Sequence, residues 1–175
     1  MWGAPLGAIP SLQYMGEPIF IRDSTALEMS GYLGQEAVVI EYAFSDSGFW
    51  KAEINYVMDP SDYESHLELF TQVERSLSEV YGFPKTTDRI ESGAMGVHDV
   101  VNIGFERAFY FSSWNVSPVK ISLLLNSIVQ VPRNDLNVFG DDMSIMKMVY
   151  YNPDYMIMAE EIIVVEPPPS IFDIY

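Results

Sequence analysis

Residues 61–84 constrain the fold more than any other stretch. Tyr63, Leu67, Phe70, Leu77 and Tyr81, with Val73 and Val80 at the edge, recur at steps of three and four residues. Glu64, Glu68, Glu74, Arg75 and Glu79 fall mostly on the other side. That period predicts one amphipathic helix with a single apolar stripe. Its start is predicted at Ser61, because Ser61 and Glu64 have the spacing of a capping box: the hydroxyl accepts from the Glu64 amide and the carboxylate reaches back to the Ser61 amide. Its end is predicted at Tyr81-Gly82-Phe83-Pro84, where Gly82 can take the left-handed C′ conformation and Pro84 cannot continue a helix. A stripe needs a surface to cover, and the flanking segments read as strands. The fold class that follows is α+β: a mainly antiparallel twisted sheet with one principal amphipathic helix, about residues 61–81, packed on one face.

The strand signals are strongest just before the helix. Glu36–Phe44 and Phe49–Val57 are β-rich runs separated by Ser45-Asp46-Ser47-Gly48, which predicts a hairpin with a four-residue loop. In the second run Lys51, Glu53 and Asn55 alternate with Ala52, Ile54 and Tyr56, so one face of the sheet is expected to be wet. Earlier, residues 1–17 carry scattered Gly and Pro among apolar residues and read as an irregular, packed lead-in. Pro18–Arg22 is a short strand, and Ala26–Met29 is a second short strand or a helical turn. Lys85–Gly96 is polar and carries two glycines, which predicts an exposed loop. Strands are expected again at Val100–Phe105 or Phe105–Trp114, at Val119–Asn126 after a Ser117-Pro118 turn, and at Ser144–Tyr151. Asn152-Pro153-Asp154 either caps a short helix reaching Glu161 or turns into a strand at Ile162–Val165. Glu166 and three prolines end regular structure, leaving 166–175 as a Pro-rich tail. No repeat and no domain boundary is visible, so residues 1–175 are expected to form a single domain.

Charge narrows the function. The chain has 25 acidic and 9 basic residues, a net charge of −16. Such a surface repels phosphate backbones, which disfavours direct nucleic-acid binding, and attracts a basic protein partner. With no cysteine, disulfides, thiolate metal sites and cysteine nucleophiles are excluded. No apolar run approaches ~20 residues, so no membrane span is predicted. No signal peptide is readable at the start. The sequence as written predicts a cytoplasmic address, or a periplasmic, envelope one if a targeting segment has been removed.

Few motifs carry chemistry. The loop from Asp135 to Asp142 matches calcium-loop positions 1, 3 and 6, but Phe139 and Met146 occupy positions where an oxygen ligand and a bidentate Glu belong; no metal or other cofactor is expected. His66 and His98 are the only histidines. His66, one turn after Asp62, reads as a helix-surface contact, while His98-Asp99 follows a Gly-containing loop. There is no G-x-S-x-G, no H-E-x-x-H and no phosphate-binding Gly loop, so no catalytic residue is assigned. Aromatics concentrate instead: Tyr42, Phe44, Phe49, Trp50 and Tyr56 in the hairpin, and Phe105, Phe109, Tyr110, Phe111 and Trp114 in one strand region. Core packing accounts for most of them; the functional reading is an aromatic face within an acidic rim. The binding residues predicted on that basis are Tyr42, Trp50, Glu53, Tyr110, Trp114, Asp141 and Asp142.

Three stretches together resemble small α+β envelope lipoproteins and inhibitors of the beta-lactamase-inhibitor-protein-like and outer-membrane-assembly-lipoprotein type. They are Trp2 to Gly7, the hairpin from Tyr42 to Trp50, and the helix end Tyr81-Gly82-Phe83-Pro84, under a third of the chain. The lipid-attachment cysteine of those lipoproteins has no counterpart. The resemblance implies binding rather than catalysis, with a sheet face gripping a protein, and it transfers no specific residue.

The leading functional expectation is therefore a non-catalytic acidic binding or inhibitory protein with a basic protein partner, in its sharper form a nucleic-acid mimic or immunity-type antagonist. The alternatives are an envelope-associated accessory or scaffold protein and a small hydrolase using His98 or His66. A homodimer by strand addition at a sheet edge is also compatible with the pattern.

Overall fold

The structure, a computed structural model, describes residues 2–8, 15–21, 25–59, 61–92, 103–132 and 144–156. Its strands are β1 (Ile19–Ile21), β2 (Ala26–Leu33), β3 (Glu36–Ser45), β4 (Gly48–Tyr56), β5 (Thr86–Ser92), β6 (Ile103–Val116), β7 (Val119–Pro132) and β8 (Ile145–Tyr151). One α-helix, α1 (Tyr63–Tyr81), connects β4 to β5, and short 3-10 turns lie at Leu6–Ala8 and Pro153–Tyr155. All strands join one eight-stranded antiparallel sheet in the order β1-β2-β3-β4-β8-β7-β6-β5. The fold is α+β and dominated by its sheet.

The order is that of two meanders, β1–β4 and β5–β8, laid together along their last strands. At that seam Ile54 pairs with Met148 and Tyr56 with Met146. Strand alternation sends one set of side chains to a shared apolar face: Met29, Ile40, Ile54, Met148, Leu123 and Ser112 follow one another across the register, and the five apolar ones are buried. The buried series Ile121, Leu123, Leu125, Ser127 and Val129 marks the same face along β7. From α1, Phe70 is fully buried and its ring meets Tyr110 of β6 edge-on at 5.3 Å. The helix contacts β6 and β7.

The N-terminal segment closes one end of the first meander. Gly3 N donates to Phe49 O and Phe49 N donates to Ala4 O, both at 2.9 Å. Trp2 stacks on Phe49 with ring centroids 4.9 Å apart. The approach is so close that a Cβ on Gly48 would stand 2.4 Å from the Gly3 carbonyl oxygen, and Gly48 has φ +92°. Glycine is the residue that fits there.

Several sequence expectations change in detail. The helix is capped by Asp62, whose carboxylate accepts from Ser65 N at 3.1 Å, and not by Ser61. Ser61 is drawn back to Asp59, with both its amide and its hydroxyl on Asp59 Oδ1, so the competing local turn wins. At the other end Gly82 does have positive φ, 83°, but with ψ −176°; this extended conformation is open essentially to glycine alone. The hairpin turn is tighter than predicted: Ser45 pairs with Gly48, leaving Asp46 and Ser47 as a two-residue turn, and a bulge near Ala43 and Phe44 absorbs the extra residue. β2 runs on through Gly31, and β6 and β7 each extend to 14 residues. The predicted loop after Pro84 contains a strand, β5. Among the described residues it pairs with β6 alone, and the side it turns to α1 carries Arg89 and Glu91, met by Glu74 and Tyr110, so the apolar–polar alternation that signals a strand is missing. Asn152 caps the turn Pro153–Tyr155, its side-chain oxygen accepting from Asp154 N while its own amide donates to Trp50 O; the rest of the predicted helix or strand to Val165, and the Pro-rich tail, lie outside the described residues.

Candidate functional site

Carboxylates collect where α1 begins. A helix N-terminus carries unpaired amides and partial positive charge, so acidic residues are favoured there. Asp62 caps the helix and Glu64 follows in its first turn. Asp59, before the cap, accepts both Ser61 bonds at 2.7 and 2.9 Å, and these hold its carboxyl below the ordinary range. One turn on, Glu68 is exposed. With Glu36 from the start of β3, Asp59 and Glu68 border a concavity of about 240 Å3 whose wall includes Val57, Met58 and Leu69. No Lys or Arg lines it among the described residues.

His66 forms part of that wall yet is 1% exposed. Its Nε2 lies 2.7 Å from the Asp59 carbonyl oxygen and must donate, because a carbonyl only accepts. Its Nδ1 lies 2.7 Å from Ser127 Oγ. A serine beside an imidazole is the start of a nucleophile–base pair. Here the group that orients the ring is a main-chain carbonyl, and Ser127 is fully buried, so no substrate can reach the hydroxyl in this arrangement. What the contacts do is tie the foot of α1 to β7. The expected surface contact with Asp62 is thereby corrected. The signal was present: His66, Phe70, Val73 and Leu77 continue one helical stripe, and a histidine on it is buried with the rest. His98 and Asp99 lie outside the described residues.

The five predicted binding residues that are described do not form one surface. Tyr42 and Trp114 are core, 7% and 2% exposed. Burial raises the Tyr42 pKa, and Trp114 Nε1 donates to Gly82 O at 2.8 Å. Trp50 is half-buried beside the β4 bulge, and its Nε1 is buried without a hydrogen-bond partner among the described residues. Glu53 points to the sheet face opposite Tyr42 and meets Lys51 at 3.1 Å and Lys147 at 3.5 Å. Burial alone would raise its pKa; the hydrogen bonds and charges of the two lysines outweigh that and lower it. Tyr110 is half-buried, and its phenol donates to Glu91. Asp141 and Asp142, like the calcium-type loop from Asp135, lie outside the described residues. Among those described, no group of carboxylates and histidines is arranged to hold a metal, and no helix is long and apolar enough to cross a membrane.

A second polar group was not legible in the sequence. Arg89 of β5 reaches across to α1, bonding Glu74, Ser112 Oγ at 3.1 Å and the Phe111 carbonyl at 2.9 Å. Its guanidinium lies 4.7 Å from the Phe70 ring and 4.8 Å from that of Tyr110. The group pins an edge strand to the helix. Comparison with known proteins finds no matching family, no matching curated protein and no matching solved structure.

Proposed function

We propose that the protein is a non-catalytic acidic binding or inhibitory protein that engages a basic protein partner. The observation that carries this reading is the carboxylate-rimmed concavity at the start of α1, formed by Glu36, Asp59 and Glu68 with Asp62 and Glu64 on the adjoining turn. A net charge of −16 speeds the encounter with a cationic surface at low salt, and exposed Val57 supplies apolar contact inside the acidic rim. In this reading α1 covers one face of the sheet and turns its acidic outer side to the partner. The sharper form is antagonism of a cationic groove, with carboxylates taking the positions of phosphates.

The test compares the protein with two charge-matched triple variants as baits in a lysate of the native host. One carries Glu36→Gln, Glu64→Gln and Glu68→Gln; the other carries Glu17→Gln, Asp46→Asn and Asp154→Asn. The expected result is one basic protein retained in stoichiometric amount by the parent and the second variant, released by salt, and lost from the first. Equal retention by both variants, or only scattered basic proteins on all three baits, overturns the proposal.

A further inference from the structure

A sheet that does not close on itself has two edges, and each exposes a row of unpaired amides and carbonyls. In this sheet the edges are unequal. β1 is three residues long, and short edges are one of the ordinary protections against pairing with another chain. β5 runs for seven residues, Thr86-Thr87-Asp88-Arg89-Ile90-Glu91-Ser92, with no proline, lysine or glycine to interrupt it. Its inner side is paired along its whole length with β6. Its outer side has no strand beside it among the described residues.

The side chains of β5 are arranged to receive rather than to repel. Arg89, the one cation in the strand, is folded inward over Phe70 and Tyr110 and bonded to Glu74, so it does not stand guard on the edge. Glu91 takes the Tyr110 phenol on the same side. Asp88 and Ile90 point the other way. Ile90 is 63% exposed, and its cross-strand neighbour Phe109 is 38% exposed. An incoming strand therefore meets a carboxylate and an apolar pair two residues apart on one face.

From this edge we infer that the basic partner contributes an extended segment that adds to the sheet beside β5, with a cationic residue against Asp88 and an apolar residue against Ile90 and Phe109. Main-chain hydrogen bonds along the edge supply affinity, and the alternating side chains supply selectivity. The inference rests on the proposed function for the charge of the partner, and adds to it a second contact, at the β5 edge, and the conformation of the segment that makes it.

The experiment uses the full chain and a short fluorescein-labelled peptide alternating lysine and valine, with anisotropy as the readout. A second peptide of identical charge is N-methylated at consecutive central amides, which blocks hydrogen bonding along both of its edges. The expected result is that the unmodified peptide binds and that central methylation weakens it about tenfold or more. Amides of residues 86–92 are then protected from exchange on binding. An Ile90→Lys variant, exposed enough to fold normally, weakens binding similarly, whereas Ser30→Lys, the same charge change at an exposed site of β2 far from β5 in the strand order, does not. Equal binding of the two peptides overturns strand addition while leaving the electrostatic reading standing. Failure of both peptides to bind overturns both. Protection of residues 86–92 that appears without peptide and grows with protein concentration assigns the edge to a second copy of the chain and overturns the inference.

Discussion

Tyr110 joins β6 to β5 through its phenol, and the proton on that phenol is part of the contact with Glu91. Burial, then the hydrogen bond and charge of Glu91, push its pKa up to about 12, above the ~10 of an unfolded chain. A raised folded pKa gives stability that is fully present below the unfolded value and is lost as pH rises through the folded one. Urea-unfolding midpoints should therefore fall between about pH 10 and 12, and Tyr110→Phe should flatten part of that fall. Tyr56, raised to about 12 by burial and Glu36, accounts for some of the remainder, so the difference between parent and variant is the quantity to read; an unchanged slope would dismiss the Tyr110–Glu91 bond as a source of stability. At this scale the sequence was partly legible. Tyr42 and Trp114 stand out as aromatics, but their number and spacing cannot distinguish a core ring from an exposed anchor. Glu36 and Asp59 come together only because a strand start and a helix start fall at one end of the sheet, which no local pattern encodes.

Between residues and the whole, elements are legible in proportion to how local their signals are. The stripe of α1 and the alternation of β4 are internal to each element, and both were readable. β5 owes its strand to β6 and to the bond of its own Arg89 with Glu74 of α1, partners outside its own seven residues, and was not. The cap of α1 is an intermediate case, because Ser61 and Asp62 both have side chains suited to it and the choice depends on Asp59. The structure assigns it to Asp62, so Asp62→Ala should cost about 1 kcal/mol, whereas Ser61→Ala should stay within ~0.5 kcal/mol. Chemical denaturation of the two variants checks this directly, and the opposite ranking would return the cap to Ser61.

Over the whole molecule, a charge of −16 means that like charges repel across every surface. Added salt screens that repulsion, with a Debye length of about 10 Å at 0.1 M. The melting temperature should rise by roughly 2–4 °C for each ~1 kcal/mol recovered as sodium chloride is brought from about 0.01 to 0.15 M, followed by calorimetry. A flat response would mean that pairs such as Glu53 with Lys51 and Lys147 already offset the excess. The arrangement of strands has a consequence in time as well. β8 is the last described strand in the chain, and it is also the seam, flanked by β4 and β7. A ribosome therefore delivers both outer portions of the sheet before the piece that joins them. Until residues 145–151 emerge, β4 and β7 each wait with an open flank, and the nascent chain holds two unfinished sheets that become one only when β8 arrives.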